Sequence, residues 1–169
     1  QDFKTANTPF ITSQKIGTTA KNLFKIHTLS HGTSVSSEVK IGIRDVRLAS
    51  EVSDPNGYGT FTIEVRRVNT NNLFNTPPDV VEAFVNLNLD PDSPRYISRV
   101  IGDRFQTVSS DGEVVVNGDY PNLSKFIRVE VDPGVSGKTN SEILIPFGYK
   151  ALTSPIPMYS SSLNLTATA

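Results

Sequence analysis

Phe61, Ile63 and Val65 alternate with Thr62, Glu64 and Arg66, and the run Val81, Ala83, Val85, Leu87, Leu89 repeats the same two-residue period. An extended strand gathers every second side chain on one face, whereas a helix would scatter these residues around its axis. The period returns in Val39, Ile41 and Ile43 and again in Ile127, Val129 and Val131. Turn formers divide the runs: Asp54-Pro55-Asn56-Gly57-Tyr58-Gly59, the Asn- and Pro-rich stretch from Asn69 to Asp79, and Asp132-Pro133-Gly134. Such a chain reads as mainly β within the α+β class, an antiparallel β-sandwich or barrel-like domain.

Local signals refine this. Leu23 to His27 reads as a strand, and Ser30 to Ser34 as the turn that follows it. Beyond Arg44 the alternation changes phase, since Val46 and Leu48 fall opposite Ile41 and Ile43. One extra residue flips every later side chain, so a β-bulge is predicted near Arg44-Asp45. One short helix is predicted over about 94–101, with Ser93 as N-cap, Pro94 in the first turn and Gly102 as a left-handed exit. Tyr96/Val100 and Ile97/Ile101 would form its apolar stripe. Asp111-Gly112, between β-prone arms spanning Phe105 to Val116, predicts a hairpin. Ile143-Leu144-Ile145 is expected to be a last buried strand that Pro146 confines to an edge or end.

At this level 1–21 is an extended segment or linker, 22–150 a β-rich domain, and the Ser-, Thr- and Pro-rich 151–169 an extended tail. Gln1 in place of Met leads us to expect that the 169 residues belong to a longer chain.

Composition narrows the function classes. Sixteen Lys and Arg against seventeen Asp and Glu give a formal charge of -1, so no net positive field attracts a phosphate backbone. Direct nucleic-acid binding is not expected. Membrane insertion is not expected either, because no apolar run approaches the roughly 20 residues a spanning helix needs. Without cysteine there are no disulfides, thiolate metal sites or Cys nucleophiles.

His27 and His31 have the i,i+4 spacing of a helical metal pair, but their surroundings read as a strand running into a turn. Asp90, Asp92, Asp103 and the Asp-Pro-Asn-Gly loop offer oxygen ligands, yet none follows a twelve-residue calcium loop, and Asp and Asn serve equally as caps and turn residues. We therefore assign no metal and no cofactor. No Gly-x-Ser-x-Gly elbow or phosphate-binding glycine cluster is present, so no catalytic residue is assigned and an enzyme is not expected. Arg44/Arg47 and Arg66/Arg67, beside Asp45 and Glu64, read as a solvated face with cross-strand ion pairs, or more sharply as contacts to neighbouring subunits.

Asn22-Leu23-Phe24-Lys25-Ile26-His27, Gly32, and above all the block from Val81 to Gly102 resemble the tail sheath proteins of contractile-tailed phages. In that family a strand ends in a polar/Leu alternation, followed by Leu-Asp-Pro, a Ser, an aromatic residue and a closing apolar pair, as in Leu89 to Ile101. Ile41-Gly42-Ile43-Arg44-Asp45-Val46 and Asn117-Gly118-Asp119-Tyr120 are similar to sheath proteins of large myovirus-type phages. The resemblance spans most of Asn22 to Val131 and implies a middle piece of a sheath subunit. Such subunits polymerise around the tail tube and contract to drive genome delivery.

Implied partners are copies of the chain itself, the tail tube and baseplate proteins. The implied location is the virion tail, with the host cytoplasm during assembly. Because the family's linking arms lie outside such a piece, it is expected to be a monomer by itself. The alternative class is a β-rich receptor- or glycan-binding module of a phage particle, which an exposed aromatic cluster of Tyr58, Phe61 and Tyr149 would favour. A polysaccharide-degrading enzyme would instead need a carboxylate pair in a cleft.

Overall fold

The computed structural model describes residues 5–14, 19–32, 38–68, 79–135 and 144–150. In chain order its elements are β1 (Thr5–Asn7), β2 (Ile11–Thr12), β3 (Asn22–His31), β4 (Val39–Arg47), α1 (Ala49–Val52), β5 (Thr60–Arg67) and β6 (Val80–Leu87), then α2 (Ile97–Ile101), β7 (Phe105–Val108), β8 (Val114–Asn117), β9 (Ile127–Val131) and β10 (Gly148–Tyr149). The fold is mainly β with antiparallel sheets, as the alternation predicted, and among the described residues it has two short helices.

Strand β3 organises the larger sheet. One edge pairs with β9 from Phe24↔Val131 to Thr28↔Ile127, and the opposite edge takes β1 and then β2, with β10 beyond β2. The opening of the chain thus supplies two short strands. The second sheet has the order β4-β5-β6, and β7-β8 forms a hairpin that joins neither. The larger and the three-stranded sheets share one core, in which the Phe24 and Phe61 rings stack with centroids 5.5 Å apart. Phe61, Ile63, Val65, Ile127 and Val129 point into it, each on the face the alternation predicts.

The predicted bulge is present. Arg44 pairs with Thr62 and Arg47 with Thr60, so three steps on β4 match two on β5, and Asp45 takes φ 51°. A second bulge mirrors it on β6, where Leu87 and Phe84 face Phe61 and Ile63, and Asn86 takes φ 53°. The unbroken alternation from Val81 to Leu89 concealed this one. Because the bulge reverses the facing, Leu87 and Leu89 are buried while Ala83 and Val85 point outward.

The predicted helix forms, but its start needs correction. It runs from Ile97, with Tyr96 at the N-cap position, and neither Ser93 nor Pro94 belongs to it. Ser93 stabilises the preceding turn, its Oγ accepting from Arg95 N at 3.1 Å and Asn88 Nδ2 at 2.9 Å. The bonds Asn88 N to Arg95 O and Ile97 N to Asn88 O hold this segment against the end of β6 and fix the helix start. Tyr96, Ile97 and Ile101 are buried and Val100 is half-buried, so the apolar stripe is the predicted one.

Gly102 ends the helix with φ 109° and ψ 151°, an extended positive-φ conformation rather than the left-handed helical one. A Cβ there would lie 2.3 Å from the Asn122 Cα, so glycine is required on both counts.

Helix α1 was not foreseen. Leu48, read as continuing the strand, instead precedes a turn of helix whose Glu51 carboxylate accepts Leu48 N at 2.7 Å. Asp54 Oδ2 accepts Tyr58 N at 2.7 Å and shapes the predicted Asp54–Gly59 loop. Leu144 is buried as expected, but no strand includes Leu144–Pro146. Ile143, the Asn69–Pro78 stretch, Thr33 and Ser34 of the first turn, and the 151–169 tail lie outside the described residues.

Candidate functional site

Three polar or apolar clusters stand out. The first is on the outer face of the three-stranded sheet. Gly42, Glu64 and Ala83 are in register across β4, β5 and β6, which puts a carboxylate between two minimal side chains. Arg66 folds over Gly42, where a Cβ would sit 2.9 Å from its guanidinium carbon, and reaches Glu64 at 2.8 Å from Nη2. Arg44 Nε reaches the other carboxylate oxygen at 2.6 Å. Glu64 is thereby only 1% exposed, although it points away from the core.

The expected ion pair across β4 and β5 is therefore present, but its acid is covered rather than solvated. Arg67 approaches Asp79 at 4.0 Å. Only the opposition of Gly42 and Glu64 in register could have signalled this, and that depends on which strands pair.

The second cluster lies on the β3–β9 face turned away from the core. His27 Nε2 is 2.7 Å from Glu130 Oε2, Lys25 Nζ is 3.8 Å from the other oxygen, and Arg128 lies over the Phe105 ring at 4.5 Å. Burial holds the His27 pKa below its ordinary 6.5, Arg128 and Lys25 push the same way, and the Glu130 contact opposes them. His31 pairs with Thr5 at the far end of β3. Among the described residues no three His, Asp or Glu side chains are gathered as a metal ion would require.

Nearby, burial raises the Asp103 pKa above its usual 3.8, the Tyr120 amide bond lowers it, and Asp119 raises it again. Asp103 Oδ1 accepts Tyr120 N at 2.8 Å, so its evident task is to hold the Gly118–Tyr120 turn. Asp90 does similar work, accepting from Asn56 Nδ2 at 2.7 Å and Asp92 N at 3.0 Å. Of the acids weighed as metal ligands, Asp54, Asp90 and Asp103 thus act as turn and loop anchors.

The third cluster is the hairpin β7–β8. Asp111-Gly112 turns it as predicted, with Gly112 alone of the pair at positive φ, 82°. Register places Gln106, Val108, Val114 and Val116 on one face and Phe105, Thr107, Val115 and Asn117 on the other. Val108, Val114 and Val116 are 71%, 62% and 58% exposed and line an open groove of about 840 Å³ together with Thr28, Leu29, Arg104 and Arg128. No charged residue lies within either strand.

Tyr58 and Phe61 are buried in the core, whereas Tyr149 is 74% exposed. The aromatic cluster that would have favoured glycan binding is therefore not formed by these residues. Among the described residues no helix is long and apolar enough to cross a membrane. No protein-family model, curated protein or solved structure significantly matches the chain.

Proposed function

We propose that the chain is a structural part of a contractile phage tail sheath subunit, contributing protein surface rather than chemistry. The observation that carries this reading beyond the sequence resemblance is the β7–β8 hairpin. Its valines form an exposed apolar ribbon with no charged residue within either strand, a surface that lone soluble proteins seldom leave open and that an assembly covers. The block that carries the resemblance, Val81 to Gly102, supports the same reading through its use in folding: a turn, a buried helix and a glycine fitted against Asn122. Its Leu87, Leu89, Tyr96, Ile97 and Ile101 are buried in the core, as a structural signature requires. In this reading the chain works by contact with its own copies, the tail tube and the baseplate, without cofactor or metal.

Immunogold labelling of virions with antibody raised against the 169 residues tests the proposal. Label is expected along the whole length of extended tails, and more closely spaced on contracted ones. Label confined to the tail tip or fibres would overturn it in favour of a receptor-binding module, and absence from the particle would remove both.

A further inference from the structure

We propose that the valine face of the β7–β8 hairpin docks on the outer face of the three-stranded sheet of a second copy, a head-to-tail contact between two different surfaces. This rests on the sheath reading and names the surfaces that meet.

The two surfaces complement each other in apolarity. Along β6, Val80 and Ala83 lie opposite Arg66 and Glu64, and Val85, two residues beyond Ala83, is exposed on the same side. All three are exposed, and β6 is the edge of its sheet. The hairpin presents Val108, Val114 and Val116. Among the described residues neither row is covered, and burying both removes apolar surface from water on each side.

Charge fixes the orientation. The hairpin turn carries Asp111 and Glu113 and no basic residue. The outer sheet face carries Lys40, Arg44 and Arg66 against two acids, Glu64, which both arginines hold, and Asp45, 3.5 Å from Arg44, so bases outnumber acids three to two. With the valines seated on β6, the acidic turn reaches the basic residues of β5 and β4. Neighbouring strands are about 4.8 Å apart, so β6 to β4 is roughly 10 Å; three hairpin residues from Val114 to Asp111 span about the same. Two hairpins paired valine to valine would set their acidic turns against no such basic row.

The contact is heterologous, so each copy keeps one surface of each kind free and assembly continues into rings or open helices. Its area is modest. A four-residue strand pair covers on the order of a few hundred Å² a side, below the roughly 800 Å² per partner of stable complexes. The isolated chain therefore stays monomeric at micromolar concentration and associates only when crowded or tethered.

Two variants of the 169-residue chain test this by sedimentation velocity from 10 μM to about 1 mM. V108T/V114T/V116T removes the apolar ribbon while keeping the β-branched shape a strand favours, and K40E/V85E places acids on the receiving face. The unaltered chain should show a sedimentation coefficient that keeps rising with concentration, and each variant alone should stay monomeric. Their equimolar mixture should stop at a dimer, since only one productive contact remains.

Circular dichroism identical to that of the unaltered chain establishes that each variant folds. An unaltered chain that stays monomeric throughout, a mixture that stays monomeric, or K40E/V85E forming dimers through paired hairpins would overturn the inference. Each would leave the immunogold result, and so the sheath reading, untouched.

Discussion

Asp45 and Asn86 hold nearly equal positive φ, 51° and 53°, at bulges on the two strands that flank the same stretch of β5. Both bulges bend the sheet beside Phe61, the residue whose ring stacks on Phe24. A β-branched residue in this backbone region is disfavoured by roughly 1–2 kcal/mol, whereas glycine enters it freely. Asp45→Val and Asn86→Val should each lower unfolding stability by about 1–2 kcal/mol in urea titrations. The glycine replacements should stay within about half a kcal/mol of the unaltered chain. Equal losses for valine and glycine would show that the side chains, and not the backbone, matter there.

Ile97 is wholly buried in the first turn of α2. Ile97→Ala should destabilise by about 2–5 kcal/mol through lost burial and the cavity left behind. Gly102→Ala should be at least as damaging, because its Cβ would meet backbone atoms of Asn122 and cannot escape by rotation. Denaturant unfolding checks both, and a loss below about half a kcal/mol for Ile97→Ala would contradict its placement.

Glu64 is buried between Arg44 and Arg66, so removing it discards two charge-assisted hydrogen bonds at once. We expect Glu64→Ala to lower stability by about 1–3 kcal/mol. Asp45→Ala tests Arg44's exposed 3.5 Å contact, but also places alanine at positive φ; Asp45→Gly isolates the ion pair and should change little. Thermal melts in low and high salt separate the two, since screening acts on exposed pairs more than on a covered one.

His27 has a depressed pKa in the fold, so the unfolded chain binds more protons as pH falls through 6.5. The sign follows: stability rises with pH across that window and is lost on acidification below about 6.5. His27→Gln should flatten this dependence in melts recorded between pH 7.5 and 5. A profile unchanged by the substitution would assign the acid sensitivity to other groups.

Asp103 behaves oppositely, for burial raises its pKa and the folded chain binds more protons above 3.8. Its ionisation therefore destabilises the fold as pH rises through the raised pKa. Asp103→Asn keeps an oxygen for Tyr120 N and removes the half-buried charge. The variant should match or exceed the unaltered chain's melting temperature at pH 7 and lose that advantage below pH 3.8. A lower melting temperature at pH 7 would mean that the charge itself holds the Gly118–Tyr120 turn.

Strand identity was legible in the sequence because a period of two has one structural reading. The inward residues of β5 and β9, the Asp111-Gly112 turn and the Arg44-Asp45 bulge followed from spacing alone. A bulge leaves a phase change in the pattern only when apolar residues continue on both sides. At Asn86 they sit on both faces of the strand, so the pattern ran through unbroken and only the pairing of β6 with β5 shows which valines point outward.

The helix start went the same way. Ser93 and Pro94 suit a cap chemically, but they lie in turns, and hydrogen bonds with Asn88 beyond the end of β6 keep this segment out of the helix until Ile97. The burial of Glu64 required strand register, since Gly42 and Ala83 are far from it in sequence. The hairpin's turn was legible, but its isolation was not: local sequence makes a ribbon, and only the rest of the fold decides whether anything covers it.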